Sequence, residues 1–189
     1  SIMNVTRPTD PWQKVKTVHD LAADEVISAL QKEIRRGHTE NACRLAYELV
    51  QTSPELEEKL WQRLLVISVE DIGMGDRRAP ILLNALFEMH ACFSVGEGDR
   101  ALFAIHGVRF LCESEKDRSS DELLNWIIQT DVAPDIPDYA LDMHTKRGQA
   151  MGRSLAHFYN EGAKITPEKP DRNSEYRKKL LAMLSLDEE

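Results

Sequence analysis

Cysteine is scarce in this sequence, and long hydrophobic runs are absent. The three cysteines, Cys43, Cys92 and Cys112, are widely spaced and contain no CxxC pair. This excludes a zinc knuckle and favours reduced thiols in the core of a cytoplasmic protein. No apolar run is long enough to cross a membrane, and the first residues lack the pattern of a signal peptide. We therefore expect a cytoplasmic protein with no membrane partner.

Short motifs that carry enzyme chemistry are also missing. The sequence contains no P-loop GxxxxGK[ST], no GxSxG, no HExxH and no EF-hand loop. Gly96-Glu97-Gly98 is a lone turn rather than a dinucleotide fingerprint, which needs a strand before it. The sequence accordingly predicts no catalytic residue, no cofactor and no metal ligand.

Charge is unevenly distributed along the chain. The 189 residues carry a formal net charge of -8, with 42% hydrophobic and 30% charged residues. This composition supports a buried core and argues against a protein that binds nucleic acid over its whole surface. Residues 139–179 nevertheless contain nine Lys and Arg against five Asp and Glu. Any anionic partner is therefore expected at this late basic segment.

Apolar residues recur at helical spacing in nearly every segment, which predicts an all-α fold. Early helices are expected over residues 22–36, from Thr39, from Pro54 to near Gly73, and from caps at Asp76, Asp99 and Ser119. After two prolines, helices are expected over 137–143, over 146–160 and from Ser174. We predict an N-terminal arm (1–21), a multi-helix bundle (22–130) and a basic helical appendage (131–189) packed on the bundle.

The densest polar stretch of the appendage is a candidate anion site. Thr145 can cap the helix that follows, and the amide groups at such a helix start suit a phosphate or carboxylate. The candidate residues for anion or nucleic-acid binding are His144, Lys146, Arg147, Arg153 and His157. Alternatively, Arg147 and Arg153 form ion pairs that tie the appendage to the acidic bundle.

Glu70 and Asp71 are adjacent carboxylates at the end of a predicted helix. They could serve as metal ligands or as an acid/base pair, but adjacent helical positions point in different directions. Ion pairing with Arg77, Arg78 or the next helix is the structural alternative. A small enzyme, metal-dependent or acting on an anion through the Asp142–His157 stretch, remains a competing hypothesis.

Two segments carry a family resemblance. The sequence ISALQKEIRRG at Ile27–Gly37 and LWQRLLVISVEDIGMGD at Leu60–Asp76 are similar to blocks found in the same order in one family. That family is the C-terminal region of replication-associated recombination AAA+ ATPases, bacterial relatives of the Werner helicase-interacting protein. The resemblance is clearest over residues 22–80, whereas Gly148–Phe158 departs from the family pattern.

The resemblance implies a helical domain like a clamp-loader collar, which assembles as a tetramer or dimer. It makes Glu70, Asp71 and Gly73 family-signature residues with a structural role. The ATP-binding residues of that family lie in a preceding domain, so the resemblance implies a non-enzymatic oligomerisation or interaction module. Its expected partners are further copies, an ATPase domain or DNA-maintenance protein, and DNA. Whether the chain stands alone or belongs to a larger ATPase stays open.

Overall fold

The computed structural model describes residues 10–188, and the side chains of residues 10–184. Helices account for the regular structure, which confirms the all-α prediction. The α-helices are α1 (Ala23–Arg35), α2 (Thr39–Thr52), α3 (Pro54–Ile67), α4 (Ala79–His90), α5 (Gly98–Glu113), α6 (Ser119–Thr130), α7 (Lys146–Ala150), α8 (Leu155–His157) and α9 (Glu175–Glu188). Short 3-10 turns lie at Pro11–Lys14 and Asp138–Ala140, and π-helical turns at Ser68–Ile72 and Phe158–Gly162. None of the described helices is long and apolar enough to span a bilayer.

The chain divides into two compact units, and the boundary along the sequence lies between Asp131 and Val132. Their arrangement relative to one another, including the predicted packing of the appendage on the bundle, stays a prediction. Residues 1–9 of the predicted arm lie outside the described residues. The following turn, Pro11–Lys14, belongs to the first unit, where Trp12 and Val15 pack against the core.

The core of the first unit comes from one apolar stripe on each of α1–α5. Spacings of three or four residues bring side chains to one helix face, as with Leu30 and Ile34 on α1 or Leu60 and Leu64 on α3. These four side chains are fully buried. Ser53 accepts a hydrogen bond from the Leu56 amide at 3.1 Å, and Pro54 starts α3, as the sequence indicates.

Three predicted helix starts are wrong by one or two residues. Asp76 does not cap α4: its carboxylate accepts the Arg78 amide at 3.0 Å, one residue before the helix begins. Asp99 lies inside α5, which starts at Gly98. The predicted capping box of Ser119 and Glu122 does not form, because Asp117 accepts the Ser119 amide at 2.8 Å instead. Before α4 and α6, an aspartate therefore accepts an amide of the local turn, at Asp76 and Asp117.

The helix predicted at 137–143 is wrong, and the helix predicted at 146–160 begins as expected but is interrupted. The first is only the 3-10 turn Asp138–Ala140. The second is interrupted because Gly152 has a φ of 73°, a left-handed conformation that ends a helix. Ser154 then caps α8 by accepting the His157 amide at 3.1 Å.

Candidate functional site

Glu70 and Asp71 lie in the π-helical turn after α3, where they face three arginines and a glutamine. Asp71 is 1% exposed and accepts hydrogen bonds from Arg35 Nε at 2.5 Å and from Gln31 Nε2 at 3.0 Å. Arg118 Nη1 also donates to Asp71. The carboxylate of Glu70 accepts from Gln31 and lies 3.7 Å from Arg35 and 3.8 Å from Arg63.

This network joins separate elements of the first unit. Its members come from α1, α3, the π-helical turn and the segment before α6. The predicted partners Arg77 and Arg78 do not take part; Arg78 pairs instead with Asp76 at 2.8 Å. Buried charges require partners of this kind.

Gly73 lets a second chain segment approach the π-helical turn. Its φ is 51°, and a Cβ placed there would lie 2.4 Å from the Asp117 carbonyl oxygen. An isolated bridge joins Gly73 to Asp117, whose amide donates to the Asp71 and Ile72 carbonyls at 3.1 and 3.0 Å. Only glycine fits this contact. Gly73 and Asp71 therefore contact the segment that leads into α6.

Helix α6 presents apolar side chains that the sequence reasoning did not single out as a surface. Leu123 is 59% exposed, Trp126 is 67% exposed, and none of the helix residues is buried. Five large apolar side chains form what we call the α6 face: Leu123, Leu124, Trp126, Ile127 and Ile128. The sequence does contain a signal for this surface. Apolar residues at adjacent positions of α6 cover a wider part of the helix than the single stripe that packing against a core requires.

The α6 face continues onto the bundle beside it. A cavity of about 280 Å³ is lined by Val66 and Val69, which are 39% and 50% exposed, together with Leu124 of α6. Its other lining residues are Glu70, Ser120 and Asp121. Monomeric soluble proteins rarely leave contiguous apolar surface of this kind uncovered.

In the second unit, Arg153 is held by neighbouring groups. Its Nη2 donates to both carboxylate oxygens of Asp138 at 2.7 Å, and its Nη1 donates to the carbonyls of Asp138 and Leu141 at 2.6 and 2.7 Å. Asp138 belongs to the same unit, so this pair does not tie the appendage to the bundle. A guanidinium with these four bonds has little left to offer an external anion.

Histidines 144 and 157 also have internal roles. Asp142 accepts the His144 amide at 2.8 Å and its Nδ1 at 3.1 Å. The hydrogen bond from the His144 backbone N–H is the largest cause that lowers the Asp142 pKa. Burial partly offsets this effect. His157 donates its amide to Ser154, and its Nδ1 is buried without a hydrogen-bond partner among the described residues.

Lys146 and Arg147 remain available at the start of α7. Both are exposed, and neither side chain forms an ion pair or hydrogen bond with another described residue. Thr145 caps this helix, as predicted, by accepting the Gly148 amide at 2.9 Å. The five candidate residues thus divide into two exposed cations and three groups engaged in local structure. Their role in anion binding stays a prediction.

The residues of the competing enzyme hypothesis do not come together within one unit. Glu70 and Asp71 lie in the first unit, whereas His144, Arg147 and His157 lie in the second. Among the side chains described, those of residues 10–184, no group of three or more His, Cys, Asp or Glu has an arrangement suited to a metal ion.

No family model matches the sequence. The chain is similar to replication-associated recombination protein A of Bacillus subtilis (strain 168), with 32% identity over 180 aligned positions. The alignment covers 88% of this chain and 41% of the relative, so the chain spans less than half of that protein's length. The matched region is the C-terminal part of the relative. The chain is therefore related, over most of its length, to the C-terminal helical part of a replication-associated recombination protein.

Proposed function

We propose that the chain is a non-enzymatic helical module of a replication- and recombination-associated AAA+ protein, and that it assembles with further copies of itself through the α6 face. The observation that carries this proposal is the exposure of five large apolar side chains on α6 beside the Val66–Val69 cavity. The similarity to a replication-associated recombination protein supports the proposed role in replication and recombination.

A second copy is the occupant that best suits the α6 face. Residues 123–130 contain no charged side chain, so a partner needs an apolar surface rather than a complementary charge. A symmetric contact places the same patch on both sides and meets this need. Each of the five side chains, exposed by nearly half or more, would contribute on the order of 1 kcal/mol when buried.

Light scattering coupled to size-exclusion chromatography tests the assembly. The full chain is expected to exceed the monomer mass at roughly tens of micromolar. Ile127→Glu is expected to produce a monomer with an unchanged circular dichroism spectrum. Leu102→Glu is the matched control, because Leu102 is 65% exposed on α5 of the same unit. A monomeric wild type, or an equal effect of both variants, contradicts assembly through this face.

The module is proposed to serve an ATPase domain, carried on the same polypeptide or on a partner DNA-maintenance protein. Two observations support this part of the proposal: the family resemblance, and the alignment that covers only 41% of the relative's length. The reading frame upstream of Met3 is the test. An in-frame Walker A segment supports the same-polypeptide arrangement, and its absence leaves a separate partner to be identified by co-purification.

Contact with nucleic acid is a second proposed function, supported by the exposed pair Lys146 and Arg147 in a segment with excess positive charge. Single-stranded DNA binding that weakens steeply with salt is expected. The double variant Lys146→Glu/Arg147→Glu should reduce it strongly. Arg44→Glu on α2, also exposed, provides the control. Binding that the double variant leaves unchanged would contradict a contact at α7.

A further inference from the structure

A cavity in the second unit collects positive charge from residues of the basic segment that lie outside the Asp142–His157 stretch. It has a volume of about 220 Å³ and lies between the segment after Gly162 and the start of α9. Its charged lining residues are Lys164, Glu168, Arg172 and Arg177. Three cations against one carboxylate give the cavity a formal excess of positive charge.

Arg172 has hydrogen-bonding capacity that the described protein does not use. Its Nε pairs with Glu168 Oε1 at 2.9 Å. Its Nη1, in contrast, is buried and has no hydrogen-bond partner among the described residues. A buried guanidinium N–H without an acceptor is costly, and native structures rarely retain one. An acceptor supplied by a ligand would satisfy it.

The other two cations are oriented by contacts that leave part of their donors free. Arg177 Nη2 donates to the Tyr159 carbonyl at 3.1 Å, and Lys164 Nζ lies 3.2 Å from Glu161 Oε2. Each of these two side chains has further N–H groups beyond the one so used. Guanidinium groups match phosphate oxygens with paired hydrogen bonds, which makes arginine pairs typical of phosphate sites.

We propose that this cavity binds a phosphate group of a single-stranded nucleic acid through Lys164, Arg172 and Arg177. Tyr176, which is 69% exposed and adjacent in sequence to Arg177, is available for stacking against a base. Lys179 Nζ lies 5.6 Å from the centroid of the Tyr176 ring and pairs with Glu175 at 2.9 Å. The choice of a nucleic-acid strand over free phosphate rests on the second proposed function, whereas the phosphate site itself does not.

The first arm of the test uses inorganic phosphate and the full chain. Addition of phosphate at constant ionic strength should shift backbone amide NMR signals within residues 163–177. Arg172→Gln should remove this response, whereas Lys169→Gln should retain it. Lys169 is a matched control because it carries the same charge three residues away and does not line the cavity. Equal responses from both variants, or no shift in this segment, would overturn the site.

The second arm uses fluorescence anisotropy with a labelled single-stranded oligonucleotide. Arg172→Gln is expected to weaken binding about fivefold and to reduce the slope of log K against log salt by about 0.7. Lys169→Gln is expected to change affinity by less than about twofold. Phosphate shifts without any strand binding would show a free-anion site and overturn the nucleic-acid assignment. Strand binding that is insensitive to Arg172→Gln would overturn the site and leave the second proposed function standing.

Discussion

Arg35 Nε lies 2.5 Å from Asp71 Oδ1, and this pair connects α1 to the π-helical turn after α3. The Asp71 side chain is almost completely buried, whereas that of Arg35 is 29% exposed. Arg118, just before α6, donates to the same carboxylate oxygen. Asp71 therefore sits between the core helices and the base of the α6 face.

Asp71→Asn should destabilise the protein on the order of 3 kcal/mol, because removal of a buried charge leaves its arginine partners uncompensated. Urea unfolding followed by circular dichroism measures the change. Glu40→Gln is the control, since the Glu40–Arg44 pair is highly exposed and contributes little. A loss of stability no greater than that of the control would show that the network is not structural.

Gly73→Ala should cost more than about 1 kcal/mol, because the new Cβ meets the Asp117 carbonyl and the backbone has a positive φ. Gly98→Ala offers a matched comparison at the start of α5. No atom lies within 4 Å of a Cβ built there, and alanine favours a helix over glycine. Thermal unfolding should show a lower midpoint for the first variant only. Equal midpoints would contradict the close approach at Gly73.

His90 should make stability fall as the pH drops below about 6.5. Its ring stacks on Trp61 with centroids 4.5 Å apart, and burial is the main cause that lowers its pKa, assisted by Arg100. The unfolded chain then binds a proton at a higher pH than the folded chain does. Stability is therefore fully present above the unfolded pKa and is lost as the pH falls through the lower folded value.

The measurement is the free energy of unfolding at about pH 7.5 and about pH 5.5 in wild type and His90→Phe. Phenylalanine keeps an aromatic ring beside Trp61 but cannot titrate. We expect the variant to lose less stability than wild type across this interval. An equal loss in both proteins would assign the pH dependence to other groups.

The thiols of Cys92 and Cys112 should differ in reactivity. Cys112 is 5% exposed, and burial is the main cause that raises its pKa to about 11, whereas Cys92 is exposed. In the native protein, a disulfide reagent at about pH 8 should modify Cys92 first, and Cys112 only after unfolding, because the thiolate is the reactive form. Cys92→Ser should remove the fast phase. A fast phase that persists in this variant would contradict the assignment.

The sequence was sufficient for the helical class and for most of the first unit. Repeated apolar spacing identified the buried stripes of α1 and α3, and Ser53-Pro54 marked the start of α3. These features depend on interactions between residues three or four apart, which the sequence displays directly. For the same reason, Thr145 was correctly identified as the cap of α7.

Contacts between distant residues decided the remainder. The sequence could not show that Asp71 would accept a hydrogen bond from Arg118. Nor could it show that Arg153 would pair with Asp138, fifteen positions earlier. The exposure of the α6 face likewise depends on what packs against that helix. By itself, the sequence determined the helical class and the main helices of the first unit, because helix formation there is governed by near neighbours. The tertiary structure alone decided which charges are paired and which apolar side chains are left uncovered, because both depend on how segments far apart in the chain come together.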